Sequence, residues 1–136
     1  MAGTLNEELY MCYLHPLMQQ IVPVFLETGD IFLFNDQVVV KLPNEEFAFP
    51  EHYDNQYGPD PEGALKGDFK TINCMWVLTN MSKESGALEI KNNKTGEWDL
   101  IEAEAGDMII INGNTLHRSE HFNNFELMAM QIEKYG

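Results

Sequence analysis

The chain is short of positive charge: 8 Lys and Arg stand against 22 Asp and Glu in 136 residues, a net charge of −14. Such a surface repels phosphate backbones and anionic lipid, which excludes nucleic acid and membrane surfaces as natural partners. Cysteine is scarce too. Cys12 and Cys74 lie far apart within hydrophobic stretches, and they read as reduced thiols of a cytoplasmic protein rather than a disulfide framework. No apolar run approaches the roughly 20 residues that a membrane-spanning helix needs. The opening MAGTLNEELYMCYL has no basic stretch and two glutamates, unlike a signal peptide. Repeats, low-complexity segments, a phosphate-binding glycine loop and a Ser–His–Asp arrangement are also missing. What remains is one domain, residues 1–136, long enough to bury roughly two-thirds of its unfolded surface.

Residues 5–28 carry a helical stripe of Leu5, Leu9, Cys12, Tyr13, Leu17, Ile21, Val24 and Phe25. Pro16 and Pro23 interrupt it, which predicts a kink or a second helix opened by Pro16, with Gly29 ending it. Beyond residue 30 the pattern changes to short strands. Ile31–Phe34 and Gln37–Leu42 flank the turn pair Asn35-Asp36, and further strands are expected at 72–79, 86–91, 98–102, 107–112 and 127–133. Segment 55–70 has five Gly and Pro and no periodicity, and it reads as a long binding loop. Together these predict a mainly β fold, a jelly roll with an N-terminal helix packed outside.

Two motifs carry chemistry. His52-Tyr53-Asp54 lies mid-chain, and Gly113-Asn114-Thr115-Leu116-His117-Arg118-Ser119 follows the apolar strand 107–112. Residues i and i+2 of a strand share a face, so His52 and Asp54 can ligate one ion from one strand end. His117 would complete the set from a neighbouring strand edge. Two histidines and one carboxylate on one face of a metal form the facial triad of non-haem Fe(II) oxygenases, although the same donors also build catalytic zinc sites. Of the other histidines, His15 beside Pro16 reads as a capping residue. His121 reads as solvated or supporting, with a minor alternative as the third ligand.

The strings VVVKLPNEEFAFPEHYDNQY, INCMWVLTNMSKESGALEIKNN and EAEAGDMIIINGNTLHRS resemble the phytanoyl-CoA dioxygenase family of Fe(II)/2-oxoglutarate-dependent oxygenases. The resemblance runs from about Asp30 to Ser119. It implies a double-stranded β-helix, iron held by His52, Asp54 and His117, and 2-oxoglutarate as cosubstrate. Ser119 matches the position that hydrogen-bonds the cosubstrate, and Asn55 and Trp76 match positions lining the pocket. The implied activity is hydroxylation of a small organic substrate. Asp54, rather than a small residue, favours hydroxylation over halogenation.

Two departures qualify the resemblance. The family arginine for the distal carboxylate of 2-oxoglutarate is replaced by the stretch Leu127, Met128, Ala129 and Met130, and no cation lies between Arg118 and Lys134. An unpaired carboxylate in a pocket is unfavourable by several kcal/mol. Arg118, Lys41 or Lys70 would have to substitute, with Lys41 favoured because it sits on the strand leading into His52. The chain is also short for the family, so a homodimer burying the helix and the 31–34 segment is expected. The alternatives from another class are a non-catalytic metal-binding jelly roll and a cupin-like metalloenzyme that needs no 2-oxoglutarate.

Overall fold

The computed structural model describes residues 14–35, 37–42 and 48–119. The predicted strand 127–133, His121, Cys12 and the helical stripe before residue 14 lie outside the described residues, as does the segment read for the family arginine.

Helix α1 spans Pro16–Leu26 and starts as proline chemistry dictates. Pro16 takes the first helical position, where its missing N–H is not needed. The His15 ring accepts a hydrogen bond from the Leu17 N–H through Nδ1 at 3.2 Å, the capping role expected of it. The helix ends earlier than Gly29: Glu27 adopts a left-handed conformation at φ 57°, and its carboxylate pairs with Lys70.

The strands are β1 (Phe49–His52), β2 (Ile72–Trp76), β3 (Leu88–Lys91), β4 (Trp98–Ile101), β5 (Met108–Asn112) and β6 (His117–Ser119). All pairings are antiparallel. Four strands form a sheet in the order β1-β6-β3-β4, and β2 and β5 form a second sheet. The fold is therefore β-rich with few helices, as the sequence predicts. Turn residues sit where strands reverse: Gly96 supplies φ 75° in the β3–β4 connection, closed by Asn92 N–H donating to the Glu97 carbonyl at 2.8 Å. Val77, Ala87, Leu88 and Ile111 are buried at the strand ends and inner faces.

Two expectations need correction. Ile31–Phe34 and Gln37–Leu42 form no strand among the described residues. Their composition suits a strand, but a strand exists only when a partner edge accepts its hydrogen bonds. Their side chains remain open, with Phe32 76% and Val40 64% exposed. Segment 55–70 is not structureless either. It holds a 3₁₀ turn at Asp54–Tyr57 and helix α2 at Pro61–Lys66. The Asp60 carboxylate caps α2 by accepting from the Gly63 N–H at 3.1 Å, and Gly67 ends it at φ 85°.

Candidate metal centre

Strand β1 ends at His52, and the chain turns at once into the 3₁₀ turn that begins with Asp54. His117 opens β6, which pairs with β1 so that His52 and His117 are directly opposite. Cross-strand partners share a face, so the pairing itself brings the two imidazoles together, with ring centroids 4.2 Å apart. His52 Nε2 lies 3.6 Å from Asp54 Oδ1, and His117 Nε2 lies 3.5 Å from the same oxygen. One ligand atom from each of the three residues lies within 4.8 Å of the other two. The structure thus brings together the three residues that the sequence selected.

The hydrogen bonds around the cluster prepare it for a cation. His52 Nδ1 lies 2.7 Å from the Pro50 carbonyl, and His117 Nδ1 lies 2.8 Å from the Thr115 carbonyl. A carbonyl oxygen only accepts, so in the neutral rings each Nδ1 carries the proton and each Nε2 keeps its lone pair toward Asp54. The other Asp54 oxygen, Oδ2, accepts from Asn73 Nδ2 at 3.0 Å. No Lys or Arg pairs with Asp54 among the described residues. The donor set is two imidazole nitrogens and one carboxylate oxygen, which suits a divalent ion. Three donors bonded at about 2.1 Å lie about 3.0 Å apart at right angles and about 3.4 Å apart in a tetrahedron. The separations of 3.6 Å and 3.5 Å from Asp54 need to shorten by about 0.1–0.2 Å for the tetrahedron and about 0.5–0.6 Å for right angles.

A buried polar network ties the ligand segments together. Asn55, next to Asp54, is 5% exposed. Its Nδ2 donates to Asn114 Oδ1 at 2.6 Å, and its Oδ1 accepts from Thr71 Oγ1 at 2.5 Å. Asn55 N–H donates to the Gly113 carbonyl at 3.1 Å, and Gly113 N–H donates to the Thr71 carbonyl at 3.0 Å. Asn114 Nδ2 then reaches the Ala64 carbonyl of α2 at 3.0 Å. A Cβ on Gly113 would collide with Thr71 Oγ1 and the Asn55 carboxamide, so close backbone approach requires glycine here.

The remaining sequence-selected residues are placed as follows. Ser119 lies two positions beyond His117 on β6, on the same face. Asn55 is buried, with its amide hydrogen-bonded to Asn114 and Thr71. Trp76 falls on the face of β2 opposite Asn73, by strand alternation, and meets His15 edge-on at 6.3 Å between centroids. Arg118 alternates away from His117. Its Nε donates to Glu89 at 2.7 Å and its guanidinium stacks 4.3 Å above the Trp98 ring. The Lys41 amine donates to the Gly86 carbonyl at 2.6 Å, and Lys70 pairs with Glu27. None of these contacts is with His52, Asp54 or His117.

Sequence reading missed Asn73, Thr71 and the role of Asn114. Asn73 lies in an apolar strand, and its partner is reached only by folding one sheet over another, so no local pattern marks it. Tyr57, in the segment read as a binding loop, places its ring 5.8 Å from that of His52 and is 68% exposed. No model of a known protein family matches the chain, and no curated protein matches it.

Proposed function

We propose that this chain is a jelly-roll oxygenase with a mononuclear Fe(II) centre and 2-oxoglutarate as cosubstrate, hydroxylating a small organic substrate. One observation carries the reading: His52 Nε2, His117 Nε2 and Asp54 Oδ1 converge with their lone pairs already directed. Fe(II), when bound, supplies the oxidation of a C–H bond by dioxygen, with 2-oxoglutarate as the co-reductant. The chain's own work is positioning and exclusion of water. His52, Asp54 and His117 would hold the ion. Ser119 offers a hydroxyl on the ligand face for the cosubstrate. Met75, Ile109 and Ile111 share the Asn73 face by the β2–β5 register, which favours an apolar reacting segment in the substrate.

A cytoplasmic setting agrees with the free Cys74 thiol and with the finding that no described helix is long and apolar enough to cross a membrane. Homodimerisation is favoured by exposed Val24, Phe32, Leu33 and Val40 on α1 and the following segment. Light scattering that gives a monomer mass at every concentration would remove the dimer from the proposal.

A second reading is a metal-binding jelly roll that does not use 2-oxoglutarate. It is favoured by the engagement of Arg118, Lys41 and Lys70 away from the cluster. An anaerobic titration with Fe(II) and then 2-oxoglutarate separates the two. A visible charge-transfer band on adding 2-oxoglutarate, lost in Asp54→Ala, supports the oxygenase. Iron binding with no band supports the second reading, and no iron binding ends both.

A further inference from the structure

We propose that Asn73 is a positioning residue that restricts Asp54 to one-oxygen coordination, which keeps open the side of the ion needed by a chelating ligand; this rests on the metal centre proposed above. A carboxylate binds a metal through one oxygen or through both. Here the two oxygens are already distinguished. Oδ1 faces both imidazoles at 3.6 Å and 3.5 Å, while Oδ2 turns to the Asn73 carboxamide at 3.0 Å. Rotation about the terminal torsion of an aspartate is broad and roughly two-fold, so the carboxylate alone does not fix which oxygen points where. Among the described residues, Asn73 is the side chain that donates to Oδ2.

Asparagine suits the task chemically. Its Nδ2 donates protons and has no lone pair for a metal, so it holds Oδ2 without becoming a ligand. The amide does not ionise, so the hold persists across the pH range in which the protein folds. The geometry also makes the hold rigid. Asn73 sits inside β2 with an uninterrupted register from Ile72 to Trp76, directly opposite Ile111 on β5, and Ile111 is 5% exposed. The donor is thus fixed by the two-stranded sheet, whereas His52 and His117 belong to the four-stranded one. Asn73 is the contact through which the second sheet sets the third ligand.

With one Asp54 oxygen bound, a six-coordinate ion retains about three positions for exogenous ligands. With both oxygens bound it retains about two, too few for a chelator and a further ligand together. The test uses Mn(II) as the probe, with affinity and water-proton relaxation as readouts, the latter counting waters on the ion. Wild type is expected to bind Mn(II) with about three waters. Asn73→Leu, of similar size but without a donor, is expected to bind about 10–100-fold more weakly with about one water fewer. Should Asn73→Leu fail to fold, Asn73→Ser and Asn73→Ala decide the matter. Serine retains a donor and should stay closer to wild type in both readouts. Equal behaviour of Ser and Ala variants, or weaker binding with an unchanged water count, would overturn the proposal while the centre itself stands. Wild type that binds no Mn(II) would remove the centre, and the role of Asn73 with it.

Discussion

Replacing Gly113 with alanine adds one methyl group, and the structure says where its effect should appear. The new Cβ would overlap Thr71 Oγ1 and the Asn55 carboxamide. Relief requires the Asn55 side chain to move, which breaks its hydrogen bonds to Thr71 and Asn114. Overpacking of this kind costs about 1–3 kcal/mol, and each hydrogen bond contributes about 1 kcal/mol. The expected loss is therefore about 3–5 kcal/mol, or about 10–15 °C in Tm for a domain of this size. Because Asn55 adjoins Asp54 and Gly113 leads into β6, metal affinity should fall with stability. Thermal unfolding by circular dichroism, with and without Mn(II), measures both effects. The same change in an Asn55→Ala/Thr71→Ala background should be milder, since the obstructing atoms are gone. A Gly113→Ala protein with wild-type Tm and metal affinity would refute this account of the network.

The outer face of the four-stranded sheet gives a contrasting prediction. Arg118→Met removes the Glu89 pair and the stacking on Trp98, lowering stability by about 1–2 kcal/mol. Metal binding and any 2-oxoglutarate affinity should be unchanged, and a fall in the latter would return Arg118 to the site. Lys41→Met should behave alike, losing the hydrogen bond to Gly86 and about 1 kcal/mol. Burial raises the Cys74 thiol above its ordinary value, so its thiolate fraction at a given pH lies below that of a free cysteine. Iodoacetamide should accordingly alkylate Cys74 slowly near neutrality in a Cys12→Ser protein, and faster as pH rises. A rate matching a free thiol throughout would contradict the shielding.

The cluster of His52, Asp54 and His117 was legible because its spacing reports part of the backbone geometry. His52 ends a strand and His117 opens the strand paired with it, but Asp54 falls in the 3₁₀ turn after β1 rather than on the strand with His52, so alternation chose the right residue for a wrong reason. The strands at 72–76, 88–91, 98–101 and 108–112 fall within the predicted spans, with turn residues marking each end. Residues 31–42 misled because strand composition is local while strand pairing is not. Helix α2 left real marks in Asp60, Pro61 and Gly67, but its core is too short for periodicity to register. The cation expected from Lys41 or Arg118 depended on side-chain direction. Arg118 is decided by alternation, which the sequence contains, and Lys41 by a distant carbonyl, which it does not.

The two imidazoles are each oriented by a carbonyl two residues upstream, Pro50 for His52 and Thr115 for His117. Their aim is therefore written into two tripeptides and needs no help from distant parts of the chain. Short peptides carrying either segment should favour the same ring proton whenever the local extended conformation forms. Asp54 differs, since its partner Asn73 arrives from the other sheet. During folding, two ligands would be aimed as soon as their strands exist, and the carboxylate would be set only on closure. An unfinished fold would present nitrogen donors without their anion, favouring soft or borderline cations over hard ones. At the proposed centre, selection between metals would then depend partly on when the ion arrives.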